Sequence, residues 1–266
     1  MRSPLSPRRA GHGFGALFRG GPLCETARPE MHPTPPPGGK VDSVVRILTG
    51  RFALLAAVLR LYGGSPIAER AHVLIRWLLC PMTKLLARLP AEGRLLEIGC
   101  GHGLFSNLAS VSRPRLRVLG IDPAQGKIGF ARQSIQGRSE VEFRCVRVED
   151  LPDEDFDAVA ILDVLYLIPK DEWRPLLARS LAKLRPGGKL VLKENSLHPA
   201  WKFHIARFQE VLAVRVLKIT EGSSRFAFAD EVEMVGILKE AGAREVIVTK
   251  IDRGHWYPHT LYGAFR

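Results

Sequence analysis

Residues 95–103 read Leu95-Leu96-Glu97-Ile98-Gly99-Cys100-Gly101-His102-Gly103. An apolar strand runs straight into three alternate glycines, and residues 104–112 then follow a helical pattern. Glycines at such a bend let the backbone turn sharply and approach a ligand without a Cβ in the way. The helix start that follows offers unpaired N–H groups to a polar ligand. Asp122 comes 19 residues after Gly103, at the end of the second expected strand. An acid there can accept hydrogen bonds from both hydroxyls of an adenosine ribose. Leu104 occupies the place of the third glycine in a G-x-G-x-x-G pattern, which counts against a dinucleotide site.

Around this loop the chain alternates between strand and helix. Strands are expected at Arg94–Ile98, Leu116–Ile121, Val141–Cys145, Asp157–Leu162 and Lys189–Glu194. Helices are expected at Leu104–Ser112, Ala124–Gln136 and Asp171–Leu184. Strands separated by helices imply a parallel sheet with right-handed crossovers. Asp230–Ala241 reads as a further helix, and Glu245–Ile251 and Thr260–Phe265 as extended segments that close the sheet. The expectation is an α/β, Rossmann-like, doubly wound sheet of seven strands, mostly parallel, with an antiparallel C-terminal strand and additional N-terminal helices.

Residues 1–40 form a basic, Pro/Gly-rich tail that cannot bury enough apolar surface to offset its ordering entropy, so it is expected to be disordered. Residues 41–90 read as helices with broad apolar bands, punctuated by Gly50 and Gly63-Gly64 and broken at Pro81. Two roles compete for this segment: a cap packed over the substrate pocket, or a basic amphipathic surface lying on a membrane interface. The α/β domain proper is placed at 91–266, with 195–229 as an inserted substrate lid.

The formal charge is +12, unevenly spread. Residues 1–40 hold six Lys/Arg and two acids, and residues 41–90 hold seven and two, so the first 90 residues carry +9. This permits an anionic partner, either a membrane surface or a nucleic acid; a solubilising surface is the plainer reading. Cys24, Cys80, Cys100 and Cys145 form neither a CxxC pair nor a metal-ligand spacing, which fits a reducing compartment and no metal. Without an apolar run of spanning length, the expected location is the cytoplasm, peripheral to the membrane if the N-terminal helices lie on it.

The glycine loop resembles motif I of the class I S-adenosylmethionine-dependent methyltransferases. The order of motifs over 94–194 is similar to the small-molecule, lipid or quinone branch of that family. Asp122 matches its ribose-binding acid, Asp163 in Ile161-Leu-Asp-Val-Leu-Tyr166 its motif after the fourth strand, and Leu184-Arg-Pro-Gly-Gly-Lys-Leu190 the turn before the fifth. The resemblance implies S-adenosylmethionine as cofactor, with Glu97, Gly99, Gly101 and Gly103 at the methionine moiety and Asp122 at the ribose. It implies Asp163 near the amino group and transferred methyl, with Glu149 and Asp150 beside the adenine. Many relatives have Asp where Arg147 stands, and Arg cannot accept the adenine amino proton. Many also have His where Leu167 stands, which removes that histidine from any mechanism here.

Methyl transfer from a sulfonium is a direct in-line displacement, so alignment is the main task. A general base is needed only if the nucleophile must lose a proton. Asp163 and Tyr166 are the expected catalytic residues, and Glu194, His198, His204, Tyr257 and His259 are further polar candidates. The expected acceptor is a small or lipid-like molecule. Alternatives are a non-catalytic binding or assembly protein that keeps the fold, and a nucleic-acid methyltransferase. The second lacks support, since no Asn/Asp-Pro-Pro-aromatic loop and no aromatic stacking platform is evident.

Overall fold

Apolar runs buried on both faces become central parallel strands, and helices must then cover both faces. The computed structural model describes residues 40–152, 155–195, 227–255 and 258–266, with side chains described from residue 50 onward except Arg51. Residues 1–39 of the expected 1–40 tail and 196–226 of the expected 195–229 lid lie outside the described residues, and Lys40 already belongs to the first helix.

In chain order the elements are α1 (Lys40–Leu61), α2 (Ile67–Leu79), α3 (Met82–Leu86), β1 (Glu92–Ile98), α4 (Leu104–Ser112), β2 (Arg115–Ile121) and α5 (Gln125–Gln133). There follow β3 (Val141–Arg144), β4 (Phe156–Leu162), α6 (Trp173–Ala182), β5 (Leu184–Asn195), α7 (Glu231–Glu240), β6 (Glu245–Lys250) and β7 (His259–Phe265). The seven strands lie in the order β3-β2-β1-β4-β5-β7-β6. β7 is antiparallel to both neighbours, and the pairings among β1 to β5 are parallel. The expected doubly wound sheet with one antiparallel C-terminal strand is therefore the observed one.

Alternation along the strands splits the core into two layers. Leu95, Val118, Ala158, Ala160 and Leu162 face α1–α5, while Leu96, Leu119, Val159, Ile161 and Leu192 face α6 and α7. The direction of winding reverses between β1 and β4, so a crevice forms at their carboxyl ends.

The structure departs from the expected boundaries in two informative places. The helix expected from Asp171 begins at Trp173, preceded by a separate tight turn at Lys170–Glu172. The Leu184-Arg-Pro-Gly-Gly-Lys189 stretch is not a turn ahead of the strand but an irregular start of β5 itself. Its register against β4 slips between Phe156↔Leu184 and Ala158↔Lys189. Gly188 makes this possible: a Cβ there would stand 2.9 Å from the Arg185 carbonyl and 3.1 Å from that of Phe156.

The N-terminal helices are built into the core. Gly50 does not interrupt α1, whereas Pro81 separates α2 from α3 as expected. Val73 and Trp77 of α2 are buried. Polar pins reinforce the packing along the carboxyl edge. Arg76 Nη2 donates to the Leu162 carbonyl at 3.0 Å, His259 Nε2 meets the Leu79 carbonyl at 2.9 Å, and Lys84 Nζ donates to the Ile251 carbonyl at 2.9 Å. Tyr62 Oη donates to the His102 carbonyl of the glycine loop at 2.8 Å and accepts from Asn107 Nδ2 at 2.8 Å. If α2 is part of the cooperative core, Trp77→Ala should destabilise the protein by about 3–5 kcal/mol. Urea denaturation checks this, and an unchanged midpoint would mean that the helix packs without contributing.

Candidate active site

The glycine loop turns because its three glycines all take the left-handed conformation, with φ of 72° at Gly99, 54° at Gly101 and 78° at Gly103. Side-chain space distinguishes them. A Cβ at Gly99 would be driven into Val164, and one at Gly103 would stand 2.5 Å from the Phe143 ring. A Cβ at Gly101 would meet nothing within 4 Å. Two positions are therefore glycine for packing, while the third faces open space.

Asp122, 8 % exposed just after β2, ties this loop down. Its Oδ2 accepts from Gly101 N at 3.0 Å and its Oδ1 from Ala124 N at 2.8 Å. The Ile121 carbonyl meanwhile accepts from Gly99 N and Cys100 N at 2.8 and 3.0 Å. An ionised carboxylate has about four acceptor positions, so two N–H bonds leave capacity for further donors.

Glu97 lies near the end of β1 and is buried, accepting from Ser106 Oγ at 2.5 Å. Burial pushes its pKa up to about 7, although the Ser106 hydrogen bond and the charge of Arg76 oppose the shift. Asp163 follows β4 with a left-handed φ of 59°, unusual for a non-glycine residue. Its carboxylate pairs with Lys193 of β5 on one oxygen and with Arg76 Nη2 at 3.1 Å on the other. Burial alone would raise its pKa, but Lys193 and Arg76 together outweigh burial and hold the carboxyl ionised. Next to it, Glu194 accepts from Val164 N at 3.1 Å and Leu165 N at 2.9 Å, fixing the turn that carries Tyr166. The Tyr166 ring stacks on Phe228 with centroids 6.2 Å apart.

The structure thus gathers Glu97, Gly99, Gly101, Gly103, Asp122, Asp163 and Tyr166 at the adjacent ends of β1, β2 and β4. Glu149 and Asp150 sit on an exposed turn after β3, and Glu149 is drawn to Arg179 of α6 at 2.9 Å. His259 is buried and meets α2 through the Leu79 carbonyl. His198, His204 and Tyr257 lie outside the described residues. Among the described residues, no cluster of His, Cys, Asp and Glu is arranged to hold a metal ion.

Sequence reasoning did not place Arg76 and Lys193 in the site. Arg76 reaches in from α2 and interacts electrostatically with Asp163, Tyr166 and Glu97. Lys193 is 1 % exposed, in the apolar run Leu190-Val-Leu-Lys-Glu-Asn195. A buried lysine demands an acid, and that demand was the available signal.

Known proteins resemble this chain in the same region. Residues 95–188 match the family described as Methyltransferase domain. A ubiquinone biosynthesis O-methyltransferase of Xanthomonas axonopodis pv. citri is 33 % identical over 158 residues, covering 58 % of this chain and 63 % of that protein. Its counterpart in Bradyrhizobium diazoefficiens is 33 % identical over 111 residues, covering 41 % and 42 %. The chain therefore spans less than two thirds of the length of these relatives. Among solved structures, the apo S-adenosylmethionine-dependent methyltransferase SibL superposes with a TM-score of 0.60 at 20 % identity, covering 74 % of this chain and 57 % of that one. Human N-acetylserotonin methyltransferase in complex with S-adenosylmethionine gives 0.56 at 18 % identity, covering 80 % and 59 %. These two likenesses show the shared fold.

The packing role of Gly103 has a direct consequence. Gly103→Ala should cost about 1–3 kcal/mol through overpacking against Phe143 and the positive φ. A thermal unfolding midpoint equal to the wild type would show that the loop relaxes freely.

Proposed function

We propose that the chain is a class I S-adenosylmethionine-dependent methyltransferase that methylates an oxygen of a small, quinone-like or lipid-like acceptor, a reading supported by the match of residues 95–188 to the methyltransferase family. The observation that carries this reading is the Asp122 carboxylate fastened to Gly101, beside a Gly101 face that opens onto unfilled space. A nucleoside fits there: Asp122 accepts from the ribose hydroxyls while the bare Gly101 backbone admits the ligand. Glu97 receives the methionine amino group and Arg76 its carboxylate. When bound, the cofactor supplies a methyl group already activated by its sulfonium, so the protein's task is alignment.

Each residue then has a defined part. Asp163, held ionised by Arg76 and Lys193, does not take up a proton near neutral pH; it orients Arg76 and adds negative charge beside the amino group. Glu194 holds the turn on which Tyr166 forms one lip of the acceptor pocket. α2 and α3 cap the crevice, since Arg76 and His259 join α2 to the ends of β4 and β7. The acceptor class comes from the names of the relatives, which are O-methyltransferases of ubiquinone biosynthesis.

The direct test incubates the full chain with S-adenosylmethionine and a panel of catechol and phenol acceptors, read by mass spectrometry. A product heavier by one CH₂ is expected. Cofactor binding with no product from any acceptor would instead indicate a binding or assembly protein. Asp122→Ala should weaken cofactor binding by about 1–3 kcal/mol, from lost charge-assisted hydrogen bonds; unchanged affinity by calorimetry removes the ribose assignment. Glu97 gives a pH signature. With its pKa near 7 in the free protein, the carboxyl must lose a proton below that pH before it can accept from an ammonium. Affinity should therefore fall on acidification below pH 7, approaching about tenfold per unit, and level off above it. Glu97→Gln should abolish that slope; a slope that survives the substitution contradicts the assignment.

A further inference from the structure

α2 presents a second surface, opposite the one that holds the site. Ile67, Ala71, Leu74, Ile75 and Leu78 recur at helical spacing on one stripe and all are exposed. Eight large apolar side chains are exposed among the described residues, and this 13-residue helix supplies four of them. Ile67 is 83 % exposed, Leu78 62 % and Ile75 54 %. The helix has already buried its packing face through Val73 and Trp77, so the outer stripe is not needed for the core. The other exposed apolar pair, Ile247 and Val248, consists of consecutive residues of β6 that point to opposite faces and make no common patch.

We infer that the outer face of α2 docks onto an anionic lipid bilayer. Charge selects this occupant. Arg70 flanks the stripe and is exposed, as is Arg60 at the end of α1. The acid of α2, Glu69, is turned inward onto His102 Nε2 at 2.6 Å. The outward face is thus apolar and cationic with no carboxylate of the helix to offset it, and the first 90 residues carry +9 of the +12 net charge. A second copy of the same face would bring like charges together, which disfavours self-association. Apolar side chains rimmed by arginine suit the boundary between headgroups and acyl chains, where each basic residue gains from anionic lipid. Among the described residues no helix is long and apolar enough to cross a membrane, so the contact is interfacial. The two roles expected for 41–90 then belong to opposite faces of one helix. This inference rests on no catalytic assignment, because vesicle binding is read without methyl transfer.

The test is co-sedimentation of the full chain with phosphatidylcholine vesicles, with and without phosphatidylglycerol. Binding should appear with phosphatidylglycerol, weaken with added salt and be slight with phosphatidylcholine alone. Ile75→Glu combined with Leu78→Glu should lower partitioning by roughly a hundredfold, from lost apolar burial. Arg70→Glu should lower it by about tenfold or more. If the double variant does not fold by circular dichroism, Arg70→Glu decides alone. Equal binding of wild type and variants, or no wild-type binding, overturns the proposal. So does self-association in lipid-free solution that these substitutions abolish, which would assign the face to a second copy.

Discussion

The site depends on one carboxylate doing two jobs at once. Asp122 accepts from Gly101 N and from Ala124 N, so the bend after β1 and the start of α5 are held by the same two oxygens. This fixes the glycine loop against the end of β2, beside the crevice at the carboxyl ends of β1 and β4. Glycine at 101 leaves the backbone bare toward open space, while the Phe143 ring behind Gly103 leaves the loop no room to slide back. A flexible glycine run thereby becomes a fixed shape, and preorganisation of this kind reduces the ordering cost of binding.

A second constraint ties the N-terminal helices to that crevice. Arg76, Asp163 and Lys193 form a chain of charges beneath α2, with Asp163 in a strained left-handed conformation. Burying such charges is costly unless each is paired, and removing one partner leaves another stranded. α2 and the sheet are therefore energetically one body. Whatever moves α2 moves Arg76 against Asp163 and Glu69 against His102 of the glycine loop.

Local patterns carried much of this in the sequence. The glycine loop, Asp122 at its spacing, the break at Pro81 and the antiparallel last strand all follow from short-range features: φ requirements, strand-end position, a missing N–H and an apolar alternation. What escaped notice depends on packing between distant segments. Arg76 and Leu162 are 86 residues apart, and no local pattern announces their hydrogen bond. The pairing of Lys193 with Asp163 forms only once β4 and β5 lie side by side, so no local pattern announces it. The β5 irregularity at Gly188 was hidden because Pro-Gly-Gly reads as a turn whether or not a neighbouring strand pairs with it. Glu149 pairs with Arg179 of α6, a contact between separate segments that local sequence does not reveal.

The most direct measurement is a crystal structure of the full chain with S-adenosylhomocysteine, the demethylated form of the cofactor. The account predicts ribose hydroxyls within hydrogen-bond distance of Asp122, with the amino acid portion between Glu97 and Arg76. Density for the nucleoside elsewhere on the sheet, or a crevice that stays closed at saturating ligand, would contradict it.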